Sequence, residues 1–176
     1  MADEEKKGVG ILSGTKVIVG DNNTKSMLKQ RFFGEAEGNR HIISLIEALF
    51  LVDTGKMDVT KGKKKLSFEE LLEVGNTAEK DFYSKYLVYK DLRGRGVVVR
   101  TGLKFGTDFR TYERGDSVGK GHSKYLIHVV PEEYTCSFPE MARALRLAEN
   151  VNKDMVYAVL DEEGDVTYYQ VGRVKL

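Results

Sequence analysis

Apolar positions along this chain change their rhythm near Gly94-Arg95-Gly96. Ahead of that break, the longest apolar stretches follow hydroxyl–carboxylate pairs three residues apart, the signature of a reciprocal cap on a helix N-terminus. Ser44 with Glu47 opens Leu45, Ile46, Ala48, Leu49, Phe50, Leu51 and Val52, and Gly55 then offers a left-handed stop. So continuous a run predicts a buried helix. Ser67 with Glu70 opens a second helix through Phe68, Leu71 and Leu72. Phe82, Tyr86, Leu87, Tyr89 and Leu92 recur at helical spacing and predict a third, ending at Arg93. Gly10–Leu12 and Lys16–Val19 flank Ser13-Gly14-Thr15 and predict a small hairpin.

Beyond Gly96 the pattern shortens to β-rich runs: Val97–Thr101, Asp108–Glu113, Tyr125–Val130, Met155–Leu160 and Val166–Val171. One helix interrupts them, capped by Ser137 with Glu140 and running from about Phe138 to Asn152, with Met141, Ala144, Leu145 and Ala148 on its apolar face. Pro139 falls in its first turn, where a missing N–H does no harm. The pattern as a whole predicts an α/β (α+β) chain: a mixed α/β N-terminal domain over residues 1–93 and a β-rich C-terminal domain over residues 94–176. Lys61-Gly62-Lys63-Lys64-Lys65 reads as a basic surface loop.

With 176 residues, 41% of them hydrophobic and 31% charged, the chain can bury a sizeable core. Its single cysteine, Cys136, allows no intrachain disulfide and no cysteine-based zinc site, which points to an intracellular compartment. The longest apolar stretch, Leu45–Val52, falls far short of the ~20 residues that span a bilayer. Met1–Gly8 is polar and charged, unlike a signal peptide. A soluble, cytoplasmic protein is expected. The net charge of +1 hides an uneven distribution. Lys85–Lys124 carries ten Lys/Arg against four acids, whereas Pro131–Gln170 carries three against nine. A basic stretch followed by an acidic one suits an anionic ligand at the first and a basic partner, including a second copy of the chain, at the second; two solvated faces of different sign would look the same.

The chemistry concentrates in the C-terminal half, where Tyr112, His122 and Lys153 stand in TYERG, GKGHSKY and NVNKDM. A phenol can take a proton, an imidazole can give one, and an ammonium can neutralise charge growing on phosphate oxygens, so the three suffice for phosphodiester cleavage without a metal. Each also has a structural explanation: a strand tyrosine, a loop histidine, a helix-terminal lysine. All three nevertheless fall at element ends, where sites gather on rigid scaffolds. Gly115–Gly121 (GDSVGKG) is not a phosphate-binding P-loop, because three residues rather than four separate Gly115 from Gly119 and Gly121 stands where a magnesium-binding hydroxyl belongs. The acids of Asp161–Asp165 crowd one turn, too short for an EF-hand and without the strand-borne carboxylates of a metal nuclease. No metal and no cofactor is expected.

Tyr86–Gly115 (YLVYKDLRGRGVVVRTGLKFGTDFRTYERG), GHSKYLIHVVPEE, RLAENVNKD and LDEEGDVTYY resemble the archaeal tRNA-splicing endonucleases, and EGNRHIISLIEALFLVDTG with LSFEELLE resemble that family's N-terminal domain. Spacings of ten from Tyr112 to His122 and thirty-one from His122 to Lys153 match the family's catalytic tyrosine, histidine and lysine. The resemblance implies a restriction-endonuclease-like C-terminal nuclease domain, with a central mixed β-sheet flanked by helices. It also implies a metal-independent reaction in which a ribose 2′-hydroxyl attacks the adjacent phosphate, leaving a 2′,3′-cyclic phosphate and a 5′-hydroxyl. Tyr112 would be the base, His122 the acid and Lys153 the stabiliser of the phosphorane. A free phenol ionises only near ~10, so a nearby cation is needed to favour its charged form, whereas an imidazole near ~6.5 already suits its part.

The implied substrate is precursor tRNA with a bulge–helix–bulge, whose extruded bases can be stacked on guanidinium or aromatic planes. Arg146 matches the family's base-stacking arginine, and Tyr168 its second stacking member, with adjacent Tyr169 as the alternative on the other sheet face. Asp161, Glu163 and Asp165 match an acidic loop that docks into a basic cleft of another subunit, Glu163 departing from an all-aspartate pattern. Val166–Leu176 resembles the tail that pairs two subunits edge to edge. These features imply a homotetramer. The alternatives are the catalytic half of a heterotetramer, or a non-catalytic RNA-binding subunit, against which the complete trio argues.

Overall fold

A computed structural model describes residues 7–112 and 121–176. The chain forms two compact units, Met1–Tyr86 and Leu87–Leu176. Their division falls inside a helix, α4 (Phe82–Gly94), whose far end is where the sequence pattern put the boundary. Glu113, Arg114 and the glycine-punctuated run as far as Lys120, like Met1–Lys6, lie outside the described residues.

The first unit is a six-stranded sheet with helices on one face. In chain order come β1 (Gly8–Ser13), β2 (Lys16–Val19), α1 (Asn22–Gln30), β3 (Glu35–Glu37), β4 (Arg40–Ser44), α2 (Leu45–Asp53), β5 (Met57–Lys61), β6 (Lys64–Lys65) and α3 (Phe68–Ala78). The strand order is β3-β4-β2-β1-β5-β6, with β1 and β5 parallel and the other pairs antiparallel. Strict alternation turns Val17, Val19, Ile43, Met57 and Val59 inward, against the apolar α2. Gly10 on central β1 has to be glycine, since a Cβ there would lie 2.4 Å from the Val17 side chain. The anticipated hairpin is β1–β2. Lys61–Lys65, expected as a loop, is instead the β5–β6 hairpin, turning through Gly62 at φ +61°. All three capping boxes form as their sequences predict, each with both reciprocal bonds.

The second unit is a five-stranded sheet, β11-β10-β9-β8-β7, built from β7 (Val98–Thr101), β8 (Phe109–Tyr112), β9 (Tyr125–Pro131), β10 (Asp154–Leu160) and β11 (Val166–Val171). It is mixed: β9 and β10 run parallel, joined by the crossover helix α5 (Phe138–Asn150), and the outer pairs are antiparallel. α5 lays Leu145 and Ala148 on Leu126 and Met155, with Phe105, Tyr157 and Val171 around them. On the opposite face Phe109 meets Tyr89 of α4, ring centroids 5.9 Å apart. Among the described residues no helix is long and apolar enough to cross a membrane.

Candidate active site

Three neighbouring strands bring the predicted trio to one end of the second sheet. β8 runs antiparallel to β9, so its C-terminal end, Tyr112, lies beside the start of β9, three residues after His122. β10 runs parallel to β9, so its start, just after Lys153, lies at that same end. Lys124 ties the three together: its N–H donates to the Thr111 carbonyl at 2.9 Å, and its carbonyl accepts from the Asp154 N–H at 2.9 Å. Tyr112, His122 and Lys153 are thus close sequence neighbours of three directly bonded backbone positions.

Lys153 owes its place to how α5 ends. Asn152 takes the left-handed conformation at φ +54° and donates to the Glu149 carbonyl at 3.1 Å, while the Lys153 N–H donates to the Ala148 carbonyl at 2.9 Å. That bond pair is a Schellman motif, with asparagine where glycine is commoner. The ammonium then donates to the Ser123 carbonyl at 2.8 Å, next in sequence to His122, and lies 5.6 Å from the centroid of the Phe105 ring. Burial lowers its pKa, and the nearby Arg110 guanidinium lowers it further. His122 is exposed, Ser123 buried and Tyr112 buried.

Residues that sequence reading did not single out complete the floor of the site. Arg110 lies two positions before Tyr112 on β8, on the same sheet face, and its guanidinium lies 5.9 Å from the Phe105 centroid. Period-two alternation back from Tyr112 was the signal that could have found it. Phe105, in the 3-10 turn Leu103–Phe105, carried no such signal.

The remaining predicted residues lie elsewhere. Arg146 is exposed on α5. Tyr168 pairs with Ala158 and faces away from α5: its hydroxyl donates to Asp91 of α4 at 2.7 Å, and the Arg95 guanidinium lies over its ring. Burial and the Asp91 carboxylate push its pKa up. Tyr169 pairs with Tyr157, hence lies on the α5 face, and is 55% exposed. Asp161–Asp165 closes the β10–β11 hairpin at the sheet end opposite Lys153, about 20 Å away along a seven-residue strand. Asp161 accepts the Asp165 N–H at 2.9 Å and so holds the turn, while Glu163 and Asp165 are exposed.

A two-unit chain with this site at the strand ends of its second sheet matches two domain families. Residues 82–168 match the tRNA intron endonuclease catalytic C-terminal domain, and residues 9–72 match the tRNA intron endonuclease N-terminal domain. The chain is 44% identical over 165 residues to a tRNA-splicing endonuclease of Thermococcus kodakarensis, covering 93% of this chain and 96% of that one. To a tRNA-splicing endonuclease of Methanococcus vannielii it is 42% identical over 177 residues, covering 100% and 99%. One from Methanothermobacter thermautotrophicus is 42% identical over 143 residues, covering 81% and 83%. The chain belongs to the tRNA intron endonuclease family.

Proposed function

We propose that this chain is a soluble, cytoplasmic enzyme that excises introns from precursor tRNA, cutting bulge–helix–bulge RNA by metal-independent transesterification. The hydrogen bond from Lys153 to the carbonyl beside His122, at the sheet end where Tyr112 closes β8, carries the reading. The ribose 2′-oxygen forms a bond to phosphorus as the bond from phosphorus to the 5′-oxygen breaks. Tyr112, as phenolate, accepts the 2′-hydroxyl proton, and His122, as imidazolium, donates one to the departing 5′-oxygen. Lys153 keeps N–H donors beyond the one given to Ser123 and meets the charge that grows on the phosphorane. The products are a 2′,3′-cyclic phosphate and a 5′-hydroxyl.

RNA bases stack on Arg146 and on Tyr169, whose exposed ring lies on the α5 face, whereas Tyr168 already has Arg95 on its ring and Asp91 on its hydroxyl. Four copies assemble. β11, an edge strand, pairs with a second copy, and Glu163 and Asp165 dock on a basic surface of another, with Asp161 shaping their turn. The distance from that turn to the chain's own site suits a contact made between copies.

The test is cleavage of a bulge–helix–bulge RNA by the purified chain in EDTA, with particle mass measured in the same buffer. Cutting persists, the ends are cyclic phosphate and 5′-hydroxyl, and four chains are counted; charge reversal at Glu163 and Asp165 yields dimers. Loss of cutting in EDTA rejects the metal-independent reaction. A smaller particle that cuts only with another protein rejects the homotetramer.

A further inference from the structure

Arg110 stands in an unusual electrostatic position. Directly opposite it across the β7–β8 pair is a second arginine, Arg100. On its other side Lys153 shares the Phe105 ring, the two cations lying 5.9 and 5.6 Å from the centroid. Arg110 Nε is buried and makes no hydrogen bond. A buried donor left unmatched costs stability, and a guanidinium and an ammonium brought to one ring cost more, unless an anion joins them. The repulsion registers on Lys153, whose ammonium loses its proton more readily because of burial and of Arg110. An anion suited to a planar fork beside a point charge is a phosphodiester, with two nonbridging oxygens.

We propose that Arg110 is a fourth phosphate-binding group of the active site, its guanidinium holding a nonbridging oxygen of the scissile phosphate beside Lys153. This rests on the roles given above to Tyr112, His122 and Lys153. The division of labour follows from the two side chains. The guanidinium, a rigid planar fork beside the Phe105 ring, orients the phosphorus for in-line attack, while the ammonium meets the charge that appears during it. Arg110 shares the sheet face of Tyr112, so a phosphate held there stands at the proposed base. An acidic turn of a second copy could also neutralise Arg110. The phosphate is favoured because Arg110 is joined through Phe105 to Lys153 and not to a separate docking surface.

The experiment compares single-turnover cleavage of a bulge–helix–bulge RNA by wild type, Arg110→Gln, Arg110→Lys and His122→Ala, with melting temperature and particle mass for each. Arg110→Gln slows cleavage roughly ten- to hundred-fold, the range for losing a charged hydrogen bond, and Arg110→Lys recovers part of it. The salt dependence of RNA binding by Arg110→Gln falls by about 0.7–1 in log–log slope, one phosphate contact fewer. A merely structural arginine would change melting and leave the slope alone. The proposal is overturned if Arg110→Gln keeps the wild-type rate and slope while His122→Ala is inactive. It is also overturned if Arg110→Gln loses activity only as its particle falls apart, which would assign Arg110 to a second copy's acids. Should Arg110→Gln fail to fold, Arg110→Lys decides: a rate equal to wild type overturns the assignment. If wild type and His122→Ala cut alike, the reading of the active site has failed instead.

Discussion

Glu47 in the first unit and the cations at the site in the second are held in opposite ways. In the first, Glu47 is 6% exposed and accepts from the Gly34 N–H, the Ser44 N–H and the Ser44 hydroxyl, each at 2.9 Å. Glu47 joins the helix start at Ser44 to the turn at Gly34, and both its oxygens are engaged within the chain. In the second unit, Lys153 is half-buried and donates to the Ser123 carbonyl, Arg110 keeps an unmatched Nε, and His122 is exposed. A polar group that closes its bonds internally holds the fold; one kept partly desolvated with donors to spare is poised for a ligand. The difference teaches where to look for chemistry in a chain whose two sheets are otherwise built alike, each around one parallel pair.

The largest effect expected from that contrast is at His122. His122→Ala removes the proposed acid, and cleavage should slow by about 10²–10⁴-fold with melting unchanged, since the side chain is exposed. Rate and melting measured on one preparation check it. A variant that melts much earlier would mean His122 serves the fold, and the contrast would break. Glu47→Ala is the counterpart. It strips a capping box and leaves the Gly34 N–H unsatisfied in the interior, which should cost about 2–4 kcal/mol. Cleavage per folded molecule should be unchanged. Urea unfolding beside single-turnover rates below the transition separates the two, and a slower folded enzyme would show that the units are coupled.

Much of this was legible in the sequence because local rules suffice for it. Capping boxes announce themselves in four residues, and the three here mark α2, α3 and α5 to the residue. The strands of the second unit were readable within a residue or two as short apolar runs. α1 was not, because NNTKSMLKQ is polar apart from Met27 and Leu28 and depends on Asp21 accepting the Thr24 N–H. β3 and β4 were missed for a different reason: each is short, and their pairing is long-range. The trio Tyr112, His122 and Lys153 could be picked out from spacing and resemblance, but its convergence at one sheet end depends on strand order. Alternation back from Tyr112 could put Arg110 on the right sheet face, but its place beside Phe105 and Lys153 was invisible for the same reason: a guanidinium and an ammonium near one ring are a property of the folded sheet. Alternation alone could not choose between Tyr168 and Tyr169. In the folded chain the two differ: the Tyr168 hydroxyl bonds Asp91, and Tyr169 is exposed on the other face.

The smallest effect expected concerns a feature the two units share. Each holds one tyrosine against an aspartate: Tyr86 donates to Asp53 at 2.5 Å in the first, and Tyr168 to Asp91 at 2.7 Å in the second. Burial first, then the neighbouring carboxylate, raises both phenol pKa values. A phenol raised in the folded chain stabilises the fold below ~10, where phenols of the unfolded chain are still protonated. Above that, the unfolded state sheds its protons first, and the contribution is lost as pH climbs toward the higher folded value. Tyr86→Phe should therefore cost about 1.5–3 kcal/mol at neutral pH, and Tyr168→Phe about 1, since its ring is only partly buried. Each variant should also lose less stability than wild type between pH 9 and 11, a window centred on the unfolded phenol value of ~10. Denaturant titrations at neutral and alkaline pH measure both quantities. Equal alkaline losses in Tyr168→Phe and wild type would mean that the phenol is not held by Asp91, and would return Tyr168 to the pool of side chains able to meet RNA.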